Sequence, residues 1–419
     1  MCKGDGRRTG RGDARRRGLT LFKLSGSEIR VTGLRRRGNV TLVKNIRRGN
    51  QTGWLAAFRF VEYHCIIFHN RCGTDMKLRF FDLSFRTAYA QAKELAMTQR
   101  EVPLLSPGTL QTEERGGSNF IYRYRYDATG KRITEYLGAA DDPATIAKAE
   151  QAGDEIADAA TMAGYSRDLR RIGFHSTDNS TLVTVAALFN VGIFGNGGIL
   201  VGTHAFGAIL NELGVATAAL AMTEDVDLAR LTPIQIAGLP TGGFLKLLSA
   251  TGLPFHPVPQ LERKAPPTSF KVRGKKLKLD LLVPAKGAPY EPVAVPELGA
   301  HATGLPHFQF LLKQSTQSVL LGRDRIVPVT VPHGGRFCIH KLAVYSMRGG
   351  NNTKSEKDLF QATLLAAAIA QEQDFMLTDA IDAMDAGLRK RAKAGARRAI
   401  ELLGNDHAAA ARQLEALAG

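Results

Sequence analysis

The sequence predicts an α+β protein, a mixed sheet with flanking helices followed by a helical C-terminal domain. Three observations carry this. From Thr181 apolar segments of helical and strand length alternate. Between Pro233 and Pro296 lie 11 of the 17 prolines, which excludes a long helix but allows short strands such as "KKLKLDLLVP". After about Pro332 apolar residues recur at helical spacing to the end of the chain. At 419 residues, 44% of them hydrophobic, the chain can bury a real core and has room for two or three domains.

Residues 1–75 stand apart. The net charge of +17 invites a nucleic-acid reading, but its distribution matters more than its total. Residues 1–75 hold 17 Lys or Arg against 5 Asp or Glu, leaving 39 against 34 in the rest, which is close to balance. Neither helical nor strand periodicity persists there, so this stretch reads as a disordered basic extension. Met76 opens a different texture and is an alternative start, which would make the extension translated upstream sequence. The competing reading is a nucleic-acid-binding tail.

Within residues 76–180, Phe85, Tyr89, Ala92, Leu95 and Ala96 recur at helical spacing. "NFIYRYRYDATGKRITEYL" (119–137) alternates aromatic and polar residues on both sides of Asp127 to Gly130, a hairpin signature. Asp142 and Pro143 then start a long Ala-rich helix. Residues 181–331 form the sheet-bearing core: a helix to about Val191, a glycine turn, a strand at Gly198 to Val201, a helix from Thr203 to Leu213, and further strands. The sheet is expected to finish within the proline-rich stretch. Residues 332–419 form the helical C-terminal domain.

Secretion and membrane insertion are disfavoured. Charges occupy the N-terminus where a signal peptide needs an apolar core. The longest apolar run, Leu182 to Gly202, carries Asn190, Asn196 and five glycines. Cys2, Cys65 and Cys72 fall in the first stretch and leave Cys338 alone, with no disulfide framework or metal spacing, so a reducing cytoplasm is expected.

The chemistry concentrates in "TEDVDLA". Asp225 and Asp227 lie two apart on an expected strand, so their carboxylates share one face while Val226 and Leu228 enter the core. Like charges repel, and a divalent cation, magnesium by nature, is the common remedy. Taken alone, Asp-x-Asp is also a frequent solvated triplet. Its weight comes from its surroundings. Gly202 would let a phosphate approach the backbone, Thr203 would cap the following helix, and the first N–H groups there attract an anion. A third acid, Asp280, sits on "KLKLDLLVP" among alternating leucines.

A glycine and a small hydroxyl residue at a helix start, an Asp-x-Asp strand and a single Asp on a later strand resemble the DNA polymerase beta-like nucleotidyltransferase superfamily. The similarity is to bacterial nucleotidyltransferase-fold proteins of unknown acceptor and, more distantly, to abortive-infection toxins. It covers roughly Ile199 to Asp358 and rests on short motifs. The resemblance implies a nucleotidyltransferase-fold core in which Asp225 and Asp227 hold two Mg2+ ions, with Mn2+ as a substitute. Asp280 would join them at the metal and help activate the attacking hydroxyl, while Gly202 and Thr203 would cradle the triphosphate. "HKLAVYSMRGGNNTKSEKDLFQA" is similar to the toxin-like branch, where a helix lysine and a later Lys-Asp pair complete the site. Lys341 and Asp358 match those positions, and surface residues on two amphipathic helices would look the same. The implied reaction moves a nucleoside monophosphate from a nucleoside triphosphate to a hydroxyl of a protein, an RNA or a small molecule.

Two other classes compete. Gly195, Gly197 and Gly202 before a helix suggest a dinucleotide-binding oxidoreductase, but an expected strand lies inside that glycine run. A non-enzymatic nucleic-acid or protein interaction module could use a degenerate core of this kind. The histidines never fall at helical metal spacing with an acid partner; His204, beside the phosphate motif, is the one worth testing.

Overall fold

The computed structural model describes residues 31–36, 39–44 and 78–419, apart from 217–223, 236–238, 240, 263 and 350–351. The chain divides into two units, Met1–Cys72 and Gly73–Gly419. In the first, β1 (Val31–Arg36) pairs antiparallel with β2 (Asn39–Lys44), where no strand was expected. The rest of the basic extension lies outside the described residues, and with it the expected disorder and the competing reading of a nucleic-acid-binding tail.

The second unit opens with β3 (Arg79–Phe80) and α1 (Leu83–Met97), which buries Tyr89, Ala92 and Ala96. Phe85 and Leu95 share the helical spacing yet remain partly exposed. The expected hairpin is present as β5 (Ser118–Tyr126) and β6 (Arg132–Ala139), and β4 (Thr109–Arg115) adds a third antiparallel strand on the far side of β5. Asp127 shapes the turn, its Oδ1 accepting from the backbone N–H groups of Thr129 and Lys131. Helix α2 (Pro143–Ile172) starts on the Asp142 cap with Pro143 in its first turn, and ends at Gly173 in the left-handed region.

Helix α3 (Asn179–Asn190), capped by Asp178, leads through a glycine turn to β7 (Gly198–Val201). Then come α4 (Gly202–Glu212), β8 (Val215–Ala216), which pairs with β3, and β9 (Asp225–Arg230). The proline-rich stretch holds a short helix, α5 (Gly243–Ser249), with β10 (Phe255–Pro257), β11 (Ser269–Val272), β12 (Lys278–Pro284) and β13 (Pro292–Val295). The sheet does not stop there, because β14 (Ala300–Leu305) pairs parallel with β12 and antiparallel with β13. After α6 (Phe308–Leu312), β15 (Ser315–Leu321) and β16 (Ile326–Pro332) form a separate antiparallel pair.

Helices close the chain: α7 (Gly334–Met347), α8 (Thr353–Glu372), α9 (Phe375–Asp382), α10 (Ala386–Leu403) and α11 (Ala408–Ala418). The break between α9 and α10 follows from Asp385, whose Oδ1 accepts from Leu388 N at 2.7 Å and starts a new helix. The architecture is therefore mixed α+β, with a central mixed sheet, flanking helices and a helical C-terminal region. Two hydrophobic clusters pack within the second unit, a large one running from Val102 to Leu417 and a smaller one in which Tyr89 of α1 and Leu169 of α2 meet Leu321 of β15 and Ile326 of β16.

The seven-stranded sheet is organised around β12. It pairs antiparallel with β11 and parallel with both β9 and β14, and β9 pairs antiparallel with β7. Along β9 and β12, Val226, Leu228, Leu279, Leu281 and Val283 are buried on one face, each burial being worth roughly 1.5–3 kcal/mol. A one-residue slip would send those side chains out and drive carboxylates into the apolar layer. The leucine face thus holds the acid face in register.

Candidate functional site

That register brings the acids together. Asp227 of β9 stands directly opposite Asp280 of β12, and Asp225 opposite Lys278. In a parallel in-register pair these four side chains project from the same face. On the other edge of β9, Asp227 pairs with Val201, the last residue of β7.

This pairing explains the glycine that follows Val201. Gly202 turns the chain from β7 into α4 with φ +72°, and a Cβ placed there would lie 2.0 Å from Asp227 Oδ2. Only glycine allows this backbone so close to the carboxylate. The start of α4, where unbonded N–H groups gather, therefore abuts the acids.

Thr203 does not cap that helix. The helix begins at Gly202, and no side chain caps it. Thr203 is instead the second helical residue, where its hydroxyl is placed to accept from Lys357 Nζ at 2.9 Å. Lys357 belongs to α8, and sequence reasoning gave it no role. The Lys-Asp dipeptide was its only signal, and there Asp358 is the residue that stands out. Burial, then the neighbouring Lys341 ammonium, lowers the Lys357 pKa against the pull of Asp358, Asp225 and Asp227. All these groups therefore share one electrostatic neighbourhood.

Lys341 of α7 also reaches it. Its Nζ donates to Asp358 Oδ1 at 2.6 Å and lies 5.4 Å from the centre of the Phe337 ring. Asp358 is 3% exposed and accepts a second charged bond from Arg348 Nη1 at 2.5 Å. Two helices are thus tied together by one buried carboxylate, with Lys341 held at the rim of the acid cluster.

The acids are not equivalent. Burial first, then the charges of Asp280 and Asp225, push the Asp227 carboxyl up to about 6, although Lys341 and Lys278 pull the other way. Asp280 Oδ2 accepts from Lys278 Nζ at 2.7 Å, whereas Asp280 Oδ1 is buried without a hydrogen-bond partner. Burial opposes the charge on Lys278, but the bond to Asp280 and the charges of Asp280, Asp225 and Asp227 prevail and raise its pKa. Sequence reasoning passed over Lys278 too, because a lysine on an alternating strand reads as a solvated residue. Among the described residues, no group of three or more His, Cys, Asp or Glu side chains is gathered as a ready metal cluster.

His204 is buried in α4, with its Nδ1 at 3.3 Å from Thr177 Oγ1. His340 is buried and His175 half-buried, and their pKa values are pushed down to about 3 and about 4, His175 by burial and His340 mainly so. Cys338 is a buried free thiol whose pKa burial raises to about 12. The glycine run of 195–202 contains β7, which is not the strand, glycine loop and helix order of a dinucleotide fingerprint. Among the described residues, no helix is long and apolar enough to cross a membrane.

Comparison with known proteins bears on the same region. Residues 179–385 match a family model described as "Nucleotidyltransferase", a span that includes every site residue from Gly202 to Asp358. That match spans just under half of the chain. Among solved structures, an antigenic nucleotidyltransferase-like protein from Paracoccidioides brasiliensis is similar at 16% identity and a TM-score of 0.29, covering 53% of this chain and 92% of that one. No curated protein matches the sequence.

Proposed function

We propose that this chain is a metal-dependent nucleotidyltransferase that moves a nucleoside monophosphate from a nucleoside triphosphate to a hydroxyl acceptor. The observation that carries the reading is the in-register pairing of Asp227 with Asp280, with Gly202 pressed against Asp227 at the start of α4. The family match over residues 179–385 supports the same reaction class.

The donor set suits a hard divalent cation. Asp225, Asp227 and Asp280 offer only carboxylate oxygens, and Asp280 Oδ1 is buried and lacks a partner. Those three residues would hold magnesium, or manganese in its place. When bound, such an ion neutralises charge on the phosphate oxygens and on the attacking oxygen.

The remaining work falls to the chain's own groups. Backbone N–H groups at Gly202 and Thr203 receive phosphate oxygens, and the absent Cβ at Gly202 keeps that approach open. Lys341 and Lys357 supply positive charge to the triphosphate, each already anchored, Lys341 by Asp358 and Lys357 by Thr203. Asp280 takes the acceptor's proton. The acceptor oxygen then bonds to the α-phosphorus, the bond from that phosphorus to the bridging oxygen breaks, and pyrophosphate leaves. No protein nucleophile is needed, and positioning supplies most of the rate.

The test supplies α-labelled and γ-labelled nucleoside triphosphates with magnesium or manganese and cell extract, comparing wild type with Asp225→Ala. Transfer of the α-label alone, abolished by the substitution, is the expected result. Equal transfer by the variant would overturn the assignment.

A further inference from the structure

Lys278 opens β12 and stands opposite Asp225 in the parallel register with β9. Its Nζ reaches along its own strand to Asp280 Oδ2 at 2.7 Å, with the lysine side chain 35% exposed and the carboxylate 19%. Residues i and i+2 of a strand share a face, so this ammonium lies on the face that carries all three acids. Among the described residues it is the one cation ion-paired to any of them. Lys341 is spent on Asp358, and Lys357 donates to Thr203.

We propose that the Lys278 ammonium is a built-in cation of the acid cluster, standing in the place of a second metal ion, so that the site takes one divalent ion. This rests on the nucleotidyl-transfer reading above and narrows the two-ion expectation that the family resemblance carries.

Two features support it. Asp280 is divided between two duties, one oxygen bonded to the lysine and the other buried and unpartnered, which leaves room for one further cation on that carboxylate. Charge balance points the same way. Three carboxylates are neutralised by one ammonium and one divalent ion before any nucleotide arrives. A second divalent ion would leave an excess of two positive charges and would have to break a short ion pair whose members are both fixed to one strand. The consequence for chemistry is a fixed positive charge beside the proton-accepting carboxylate, present at all stages of turnover and without entropy lost on binding.

The experiment counts ions directly. Mn2+ is titrated into the full-length, nucleotide-free chain, and free Mn2+ is measured by electron paramagnetic resonance. Sites are assigned to the cluster as those lost in Asp227→Ala. Wild type and Lys278→Arg are expected to bind one Mn2+ in the cluster, and Lys278→Met two. Lys278→Gln, also expected to bind two, serves if the methionine variant melts early by circular dichroism. Two ions in the wild type, or one in both neutral variants, would overturn the role of Lys278 while leaving nucleotidyl transfer intact. No cluster-dependent Mn2+ in the wild type would overturn both.

Discussion

Replacing Asp227 by Asn should make the metal-free protein more stable, and more so as pH rises. The carboxyl sits at about 6 in the folded chain against an ordinary value of 3.8, raised by burial and then by Asp280 and Asp225. An acid whose pKa is raised on folding costs nothing while it is protonated in both states. The cost grows as pH climbs from the unfolded value through the folded one. For Asp227 it amounts to about 3 kcal/mol, reached above pH 6, with about half of it present at pH 5. Asn is neutral throughout, so the Asp227→Asn gain should grow with pH, from roughly half of that figure at pH 5 to about 3 kcal/mol at pH 8. Urea unfolding of both proteins in excess EDTA, at several pH values between 5 and 8, reads this directly. A gain that is flat with pH, or a variant less stable than wild type at pH 8, would refute the claim that the Asp227 charge is held at a cost. Label transfer should be lost in the same variant, separating stability from function in the way expected of a strained site.

Gly202→Ala should do the reverse and damage both properties. The added Cβ meets Asp227 Oδ2 at 2.0 Å in a left-handed backbone, so activity should fall by about 100-fold and stability by about 1–3 kcal/mol, read by label transfer and thermal melting. A variant with wild-type transfer would show that the close approach is incidental. Asp358→Ala should destabilise by about 3 kcal/mol, because it leaves Lys341 half-buried without its carboxylate. Arg348 is more exposed and can turn to water, so Arg348→Ala should cost far less in the same unfolding assay, and equal losses would contradict this difference.

Much of the local structure was legible in the chain itself. Asp142 before Pro143, Asp127 to Gly130 between two alternating runs, and the leucines flanking Asp280 each encode their element within a few residues. The third strand of the β4 to β6 sheet was not, since "TLQTEER" lacks the apolar alternation that a partner strand later makes unnecessary. The mistake at Thr203 has a similar origin. A hydroxyl near a helix start reads as a cap, but the β7 register starts the helix one residue earlier and leaves that hydroxyl to Lys357 from α8.

By itself the sequence determined the kinds of groups available and their faces. Asp225 and Asp227 had to share one side of a strand, Asp280 had to oppose its leucines, and Gly202 had to mark a place where a side chain could not go. Only the tertiary structure decided which of these would meet. Asp227 and Asp280 are neighbours because β9 and β12 pair in parallel, and nothing near either residue specifies that pairing. It is selected by the joint burial of Val226, Leu228, Leu279 and Leu281, an energy that exists only once the sheet is assembled. The same pairing places Lys278 opposite Asp225, turning a residue that reads as a surface charge into part of the site.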